Sequence, residues 1–422
     1  MRDGKGLSRV FNRLFKKNKL KLRVIPESQH GITPDKISEH ALSVVRKLQA
    51  EGFEAYIVGG SIRDIFLGKS PKDFDVATSA RPQEIKAIFR NCRIIGRRFR
   101  LAHLYFKSGL IEVATFRAGH ENAAENHAKT HDSGLILRDN VYGTFEEDAA
   151  RRDFTVNALY YDPEESVILD CFDGFKDIRH HRLQVIGDPV TRYQEDPVRM
   201  LRAIRFLAKL NFKLTSASAA AIATCAPSLA QVSSSRLYDE WLKLFYQGTA
   251  EETFFQLKKY RLLHQLFPDI PFSSESESFI LAALKDTDER FRQQNPINYA
   301  FLWAVFLWVP FFDRFRDLLH EQQLAVSEAF HQAAHEIIHA ERQRIMISRR
   351  ISEVVLAIWQ LQYPLEQRNR RKIKSLLNNP YFRAAHDLLM LRTLLDPSLK
   401  PIGKAWWRIR NGRPERSDSH PI

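Results

Sequence analysis

Residues 55–78 read Ala55-Tyr56-Ile57-Val58-Gly59-Gly60-Ser61-Ile62-Arg63-Asp64-Ile65-Phe66-Leu67-Gly68-Lys69-Ser70-Pro71-Lys72-Asp73-Phe74-Asp75-Val76-Ala77-Thr78. Ala55 to Val58 is a short apolar run of strand formers that ends on two glycines. Ile62, Ile65 and Phe66, with Gly68 as a stop, then fit a short helix with one apolar face. Lys72 to Val76 reads as a second strand. There a period of two puts Asp73 and Asp75 on one face and turns Phe74 and Val76 to the core.

This order of features predicts a site for a metal-bound nucleoside triphosphate. Gly59 and Gly60, at a strand-to-helix turn, let phosphate approach bare backbone N–H groups at the positive end of the helix dipole. Arg63 supplies a fixed cation to the same triphosphate. Asp73 and Asp75 would ligate Mg²⁺, with Mn²⁺ as the alternative, since both take oxygen ligands in octahedral geometry. A lone Gly-Gly or Asp-x-Asp is more often a solvated loop than a catalytic site; the conjunction is much rarer. It resembles the head-domain signature of the class II polynucleotide nucleotidyltransferases, the family of the bacterial poly(A) polymerases and the CCA-adding tRNA nucleotidyltransferases. Ile62 stands where valine is commoner in that family.

Further matches run to about residue 270. Ile111-Glu112-Val113 carries a carboxylate expected on a neighbouring strand, where Glu112 either joins the metal cage or pairs with an arginine such as Arg98 or Arg117. Arg151-Arg152-Asp153-Phe154-Thr155-Val156-Asn157-Ala158 resembles the family's second motif. The resemblance implies Arg152 at the triphosphate, Asn157 near the sugar and Asp153 as a third catalytic carboxylate. Asp170 to Asp177 resembles the third motif, with Asp173 in place of the first glycine of the usual pair, and is expected to be a hinge. In Glu195-Asp196-Pro197-Val198-Arg199-Met200-Leu201-Arg202-Ala203-Ile204-Arg205-Phe206, arginines recur every three residues opposite an apolar side. A solvated basic face would account for that spacing. The resemblance instead implies that Asp196 and Arg199 read the Watson–Crick edge of the incoming base, with Arg202 beside them, so that side chains replace a template.

Two features favour the poly(A)-adding branch. Gly96 to His103, with Arg97, Arg98 and Arg100, resembles a segment of bacterial poly(A) polymerases that CCA-adding enzymes lack. The 64 Lys and Arg against 50 Asp and Glu give a formal charge of +14, which suits a polyanion partner. Residues 1–23 hold nine basic side chains and one acidic one. Arg371 and Lys372 belong to an internal basic cluster, and Lys404 and Arg408 flank the pair Trp406-Trp407, a pattern suited to single-stranded RNA. The alternative for both ends is a solubilising tail. At the amino end Leu7, Val10, Phe11, Leu14 and Phe15 also fit a basic amphipathic helix, which would contact an anionic membrane.

The expected fold is an α/β nucleotidyltransferase head with a mixed, largely antiparallel sheet, followed by all-α neck and body domains. The expected divisions are a basic extension over 1–28, the head over 29–178, the neck over 179–270, the body over 271–395 and a basic tail over 396–422. Within the head, the polar stretch from Glu121 to Glu147 reads as a loop over the site. Tyr299 to Phe312 is apolar but too short to span a membrane and contains Pro310. With no secretory signal, the expected address is cytoplasmic. Cys92, Cys171 and Cys225 are too dispersed for zinc or a disulfide framework and read as small core residues. The function these readings imply is a template-independent polymerase that adds AMP from ATP to RNA 3′ ends and feeds RNA to the decay machinery. The alternatives are a CCA-adding tRNA nucleotidyltransferase and a catalytically silent RNA-binding protein on the same fold.

Overall fold

The computed structural model describes residues 21–96, 100–118, 129–130, 136–138 and 141–410. The chain divides between Cys225 and Ala226 into two compact units.

The first unit is built on an eight-stranded sheet. Its strands are β1 (Arg23–Pro26), β2 (Ala55–Val58), β3 (Asp75–Thr78), β4 (Cys92–Ile95), β5 (Leu101–Phe106), β6 (Gly109–Thr115), β9 (Leu159–Asp162) and β10 (Val167–Asp170); the short pair β7 (Lys129–Thr130) and β8 (Ile136–Arg138) lies outside it. The spatial order is β1-β10-β9-β2-β3-β6-β5-β4. Every neighbouring pair is antiparallel except β3 with β6. The helices that shape the site are α1 (Glu39–Ala50), α2 (Gly60–Phe66), α3 (Phe145–Arg151), α4 (Gly174–Arg179), α5 (Pro189–Glu195) and α6 (Val198–Leu210).

Every residue of β2, β9 and β10 is buried, as expected of inner strands covered on both faces. On α1 the spacing of Ala41, Leu42, Val44, Val45 and Leu48 puts all five in the core. Tyr56, Val58, Ala77, Phe116, Tyr160 and Leu169 form one cluster with Phe145 and Ala149 of α3. Phe145 and Tyr160 meet edge to face at 4.7 Å, and Tyr56 stacks on Phe116 at 6.2 Å.

The sheet opens at Arg23, ahead of the residue 29 expected for the head. The Lys72–Val76 strand is corrected: β3 begins at Asp75, because its partner β2 ends at Val58, opposite Asp75, and offers Asp73 nothing to pair with. Phe74 and Val76 are buried as expected. Within the stretch read as a loop, β7 pairs with β8, and Thr144 caps α3 by accepting the Glu147 N–H at 3.3 Å. Among the described residues beyond 179 one two-residue parallel strand pair remains, β11 (Arg182–Leu183) with β12 (Lys213–Leu214).

The second unit is helical. Its elements include α7 (Ser234–Phe245), α8 (Phe301–Phe306), α9 (Trp308–His320), α10 (Val326–Arg344), α11 (Arg349–Gln360), α12 (Phe382–Arg392) and α13 (Lys400–Arg410). The apolar Tyr299–Phe312 stretch becomes α8 and the start of α9, whose third residue is Pro310, in the first turn where its missing N–H costs no helix bond. Among the described residues no helix is long and apolar enough to cross a membrane. The three cysteines are buried and form no disulfide.

Candidate active site

β2 delivers the chain into the glycine turn. Gly59 has φ +85° and ψ −133°, a conformation that favours glycine, and its N–H donates to the Leu159 carbonyl at 3.3 Å. A Cβ on Gly59 would stand 3.5 Å from Arg152 Nη1, and one on Gly60 would stand 3.3 Å from Arg63 Nη2. Two guanidiniums therefore lie against the bare backbone of the turn, which suits an anion there better than the seven-residue α2 could by its dipole alone.

Arg63 is buried, and this restricts the role expected for it. Its Nε and Nη2 donate to Asp64 Oδ1 at 2.9 and 2.6 Å, its Nη1 donates to Asn157 Oδ1, and the Phe206 ring lies 4.9 Å away. Asn157 Nδ2 in turn donates to Asp153 Oδ1 at 3.0 Å, and that oxygen also accepts the Phe154 N–H at 2.8 Å. Arg202 donates to Asp153 Oδ2 through Nε at 2.8 Å and Nη2 at 2.7 Å. Burial pushes the Asp153 carboxyl up, but Arg202 and Asn157 outweigh it and hold it at about 2. Asp153 thus differs from the third catalytic carboxylate of the sequence reading. Both its oxygens are committed within the protein, so it positions Asn157 and Arg63. Arg202 likewise turns to Asp153.

Arg152 sits on α3's C-cap. Its Nε donates to the buried Tyr160 hydroxyl at 2.7 Å and its Nη2 to Asp148 Oδ2 at 3.1 Å, while the Tyr160 hydroxyl donates to Asp148 Oδ2 at 2.7 Å. Burial opposes the charge, yet Tyr160 and Asp148 outweigh it and raise the proton affinity of Arg152. Arg192 Nη2 donates to the Arg152 carbonyl at 2.8 Å and its Nη1 to Glu195 Oε2 at 2.6 Å. Arg199 Nη1 donates to Glu195 Oε2 at 3.1 Å and to the Arg192 carbonyl at 2.7 Å. Asp196, half-buried, ends α5 one turn from Arg199. Arg151 is pushed down to about 9, by burial first and then by the neighbouring charges of Arg117, Arg199, Arg192 and Arg152. Mutual repulsion of this kind is relieved by a bound polyanion.

The acidic side of the site lies where β3 runs parallel to β6, with Asp75 in register beside Glu112. Asp73, Asp75 and Glu112 line a cleft of about 520 Å³ together with Lys72, His40 and Ser108. His103 Nε2 lies 3.3 Å from Glu112 Oε1; Arg98, one partner proposed for Glu112, lies outside the described residues. The Asp75 carboxyl is pushed up to about 6, by enclosure first and by the Glu112 charge next, with Asp73 adding to the shift and Arg152 opposing it. Among the described residues no three-donor metal cluster is preassembled. The crowding of Asp75 against Glu112 and Asp73 nonetheless fits an Mg²⁺-class ion, which binds through one or two carboxylates and completes its shell with water and phosphate.

The third motif, expected to be a hinge, is closely packed against the second. Asp170 accepts the N–H groups of Phe172, Gly174 and Phe175, each at 3.0 Å. A Cβ on Gly174 would fall 2.2 Å from the Thr155 carbonyl oxygen, so only glycine fits under the second motif. Asp177 of α4 accepts the Thr155 hydroxyl at 2.6 Å. Asp173 takes φ +58° with no glycine at that place.

Of the cations expected at RNA, Arg100, Arg371, Lys372, Lys404 and Arg408 are exposed; Arg97, Arg98 and the amphipathic pattern of residues 7–15 lie outside the described residues. The Trp406-Trp407 pair is corrected. Trp406 is fully buried and donates Nε1–H to the Leu365 carbonyl at 2.8 Å, leaving Trp407 on the surface. Sequence reasoning missed Asp148, Tyr160, Arg192 and Glu195. Glu195 had a signal, the acidic pair at the head of its motif; the other three had none.

Three family models match the chain. They describe the "Poly A polymerase head domain" over residues 55–184, the "Probable RNA and SrmB- binding site of polymerase A" over 211–272 and the "Polymerase A arginine-rich C-terminus" over 322–421. Poly(A) polymerase I of Haemophilus influenzae is 48% identical over 392 residues, covering 91% of this chain and 87% of that protein. Its counterpart in Salmonella typhimurium is 42% identical over 395 residues, covering 92% and 85%. The CCA-adding enzyme of Enterococcus faecalis is 37% identical over 211 residues, half of each chain. Among solved structures, the Thermotoga maritima CCA-adding enzyme complexed with tRNA has a TM-score of 0.64 at 16% identity, covering 96% of this chain and 88% of that one. The Bacillus stearothermophilus CCA-adding enzyme in complex with CTP has a TM-score of 0.58 at 24% identity, covering 90% and 83%. At these identities the likeness is one of fold.

Proposed function

The chain belongs to the bacterial poly(A) polymerase I family, and from that premise we propose that it extends RNA 3′ ends without a template, transferring AMP from ATP and releasing pyrophosphate. The observation that carries the reading is the reach of the likeness. In sequence it runs through the arginine-rich C-terminal region for the poly(A)-adding relatives and spans half the chain for the CCA-adding enzyme of Enterococcus faecalis.

The residues that would hold Mg²⁺, or Mn²⁺ in its place, are Asp73, Asp75 and Glu112. When bound, such an ion neutralises phosphate charge and lowers the proton affinity of the primer's 3′-hydroxyl. The chain's own groups do the rest. The Gly60 N–H and the Arg152 cation receive the triphosphate, with Arg63 held beneath the turn by Asp64 and Asn157. Asn157 meets the ribose, Asp153 and Arg202 fix Asn157, and the Arg192–Glu195–Arg199 group presents Arg199 beside Asp196 to the base. Asp196 accepts from the adenine amino group while Arg199 donates to a ring nitrogen. Arg100, Arg371, Lys372, Lys404 and Arg408 serve the primer backbone, and the product RNA enters exonucleolytic decay in the cytoplasm.

The test is gel-resolved primer extension with each nucleoside triphosphate offered separately to an unstructured RNA and to a tRNA lacking its CCA end. Long ladders from ATP on both RNAs support the proposal. Short additions that need CTP and are confined to the tRNA would replace it with CCA addition.

A further inference from the structure

Helix α10 carries His331-Gln332-Ala333-Ala334-His335-Glu336-Ile337-Ile338-His339, and within it the order His-Glu-x-x-His. A spacing of four places His335 and His339 on one helix face, a turn apart. Their rings lie parallel within 10°, with centroids 5.7 Å apart, and both are exposed. They line a groove of about 720 Å³ between α10 and α11, to which Arg342, Arg349 and Glu353 also contribute.

We propose that His335 and His339 form a binding site for a divalent transition-metal ion of the Zn²⁺ or Ni²⁺ class, distinct from the carboxylate site of the first unit. Imidazole nitrogens one helical turn apart are the donor set that borderline ions take and that Mg²⁺ does not. Among the described residues no third donor completes a preassembled cluster, so water fills the other positions. His331, a turn earlier, also lines the groove and meets the Phe330 ring edge-on at 5.4 Å. Gln343 Nε2 lies 3.4 Å from His339 Nε2 and is displaced when that nitrogen takes a metal.

The glutamate between the histidines excludes the hydrolytic chemistry that the same residue order serves elsewhere. Glu336 Oε2 accepts from Arg314 Nε of α9 at 2.6 Å, and its Oε1 accepts from Gln332 Nε2 at 2.9 Å. It is therefore fixed by an arginine and a glutamine and is no general base for a metal-bound water. The site is a chelating one. Its ion adds positive charge to a groove where Arg349 is already paired with Glu353 at 3.0 Å.

The experiment is titration calorimetry of the full chain, first stripped with a chelator, against ZnCl₂ and NiCl₂ alone, with the thermal midpoint as a second readout. The parent is expected to bind at least one equivalent and to gain thermal stability from it. His335→Ala and His339→Ala each weaken that equivalent by about tenfold or more, as loss of one of two protein ligands demands. The double variant loses it together with the stabilisation. His331→Ala and Glu336→Gln leave the equivalent in place. A parent that binds no metal overturns the proposal, and so does a double variant with undiminished stoichiometry and affinity. Because both histidines are exposed, the double variant retains Mg²⁺-supported primer extension, which separates loss of metal from loss of fold.

Discussion

Both units bury rings, but the first also buries a group of arginines. In the first, Arg63, Arg192 and Arg199 are 3%, 8% and 8% exposed, each held by carboxylate or carbonyl oxygens. In the second, Trp241, Trp303, Trp359 and Trp406 are fully buried, with Trp241 stacked on Trp303 at 4.0 Å and Phe311 on Trp359 at 4.2 Å. Desolvating an ion pair often cancels what its attraction contributes, whereas aromatic burial is a net gain. A cluster of repelling, buried arginines is thus hard to explain as a stabilising device and easy to explain as a preorganised anion site. Arg392 is a point of contact between the two styles. It is a buried cation in the ring-filled unit, 4.4 Å from the Trp308 ring and donating to Glu366 Oε1 at 2.6 Å.

The same substitution in both units tests that contrast. Arg152→Met leaves the buried Asp148 carboxylate and the Tyr160 hydroxyl without their cation, and is expected to cost about 3–5 kcal/mol in chemical denaturation together with primer extension. Arg392→Met keeps a long apolar stem beside Trp308, and Glu366 can reach water. Its expected cost is about 1–2 kcal/mol, with single-turnover extension of a short primer unchanged. Equal costs and equal losses of activity would erase the distinction.

A carboxyl in the second unit sharpens it further. Glu341 is buried, its Oε1 accepts no hydrogen bond, and burial, aided by Asp269 and opposed by Arg344, pushes it up to about 8. A carboxyl raised on folding contributes fully below the unfolded value near 4.5, and that contribution is lost as pH rises to 8. Glu341→Gln should therefore raise the thermal midpoint at pH 7–8 by a few degrees, worth about 1 kcal/mol, and the gain should vanish toward pH 4.5. A gain independent of pH would mean that packing and not ionisation is responsible. The smallest expected effect is at the surface. Lys404→Gln and Arg408→Gln should each reduce the log–log salt slope of RNA binding by about one, seen in a fluorescence titration, with no change in stability.

The parts of the site that were legible in the sequence are those a local pattern determines. The apolar run into Gly59-Gly60 marks the turn, and the isolated carboxylate in an apolar strand put Glu112 beside the aspartates, where the β3–β6 register sets it against Asp75. The helical remainder followed from where strand signals stop. Pairings across long stretches of chain were not legible. Arg202 reaches Asp153 across 49 residues and Arg63 reaches Asn157 across 94, so two side chains that read as ligand contacts proved to be partners of one another's neighbours. Arg192 carries no mark at all, since an arginine that supports the backbone carbonyls of Arg151 and Arg152 looks like any other helical arginine. Trp406 misled for the opposite reason, because a basic helix with two adjacent tryptophans reads as a stacking surface until tertiary packing claims one ring.

The most direct measurement is single-turnover addition of AMP to a short RNA primer by Asp75→Asn at saturating ATP and Mg²⁺. The isosteric amide keeps the shape of the β3 edge and removes the charge that crowds Glu112. Extension slower than the parent by about a thousandfold or more, in a protein with an unchanged thermal midpoint, is the predicted result. Extension within a few-fold of the parent would contradict the assignment of nucleotidyl transfer to the Asp75–Glu112 edge.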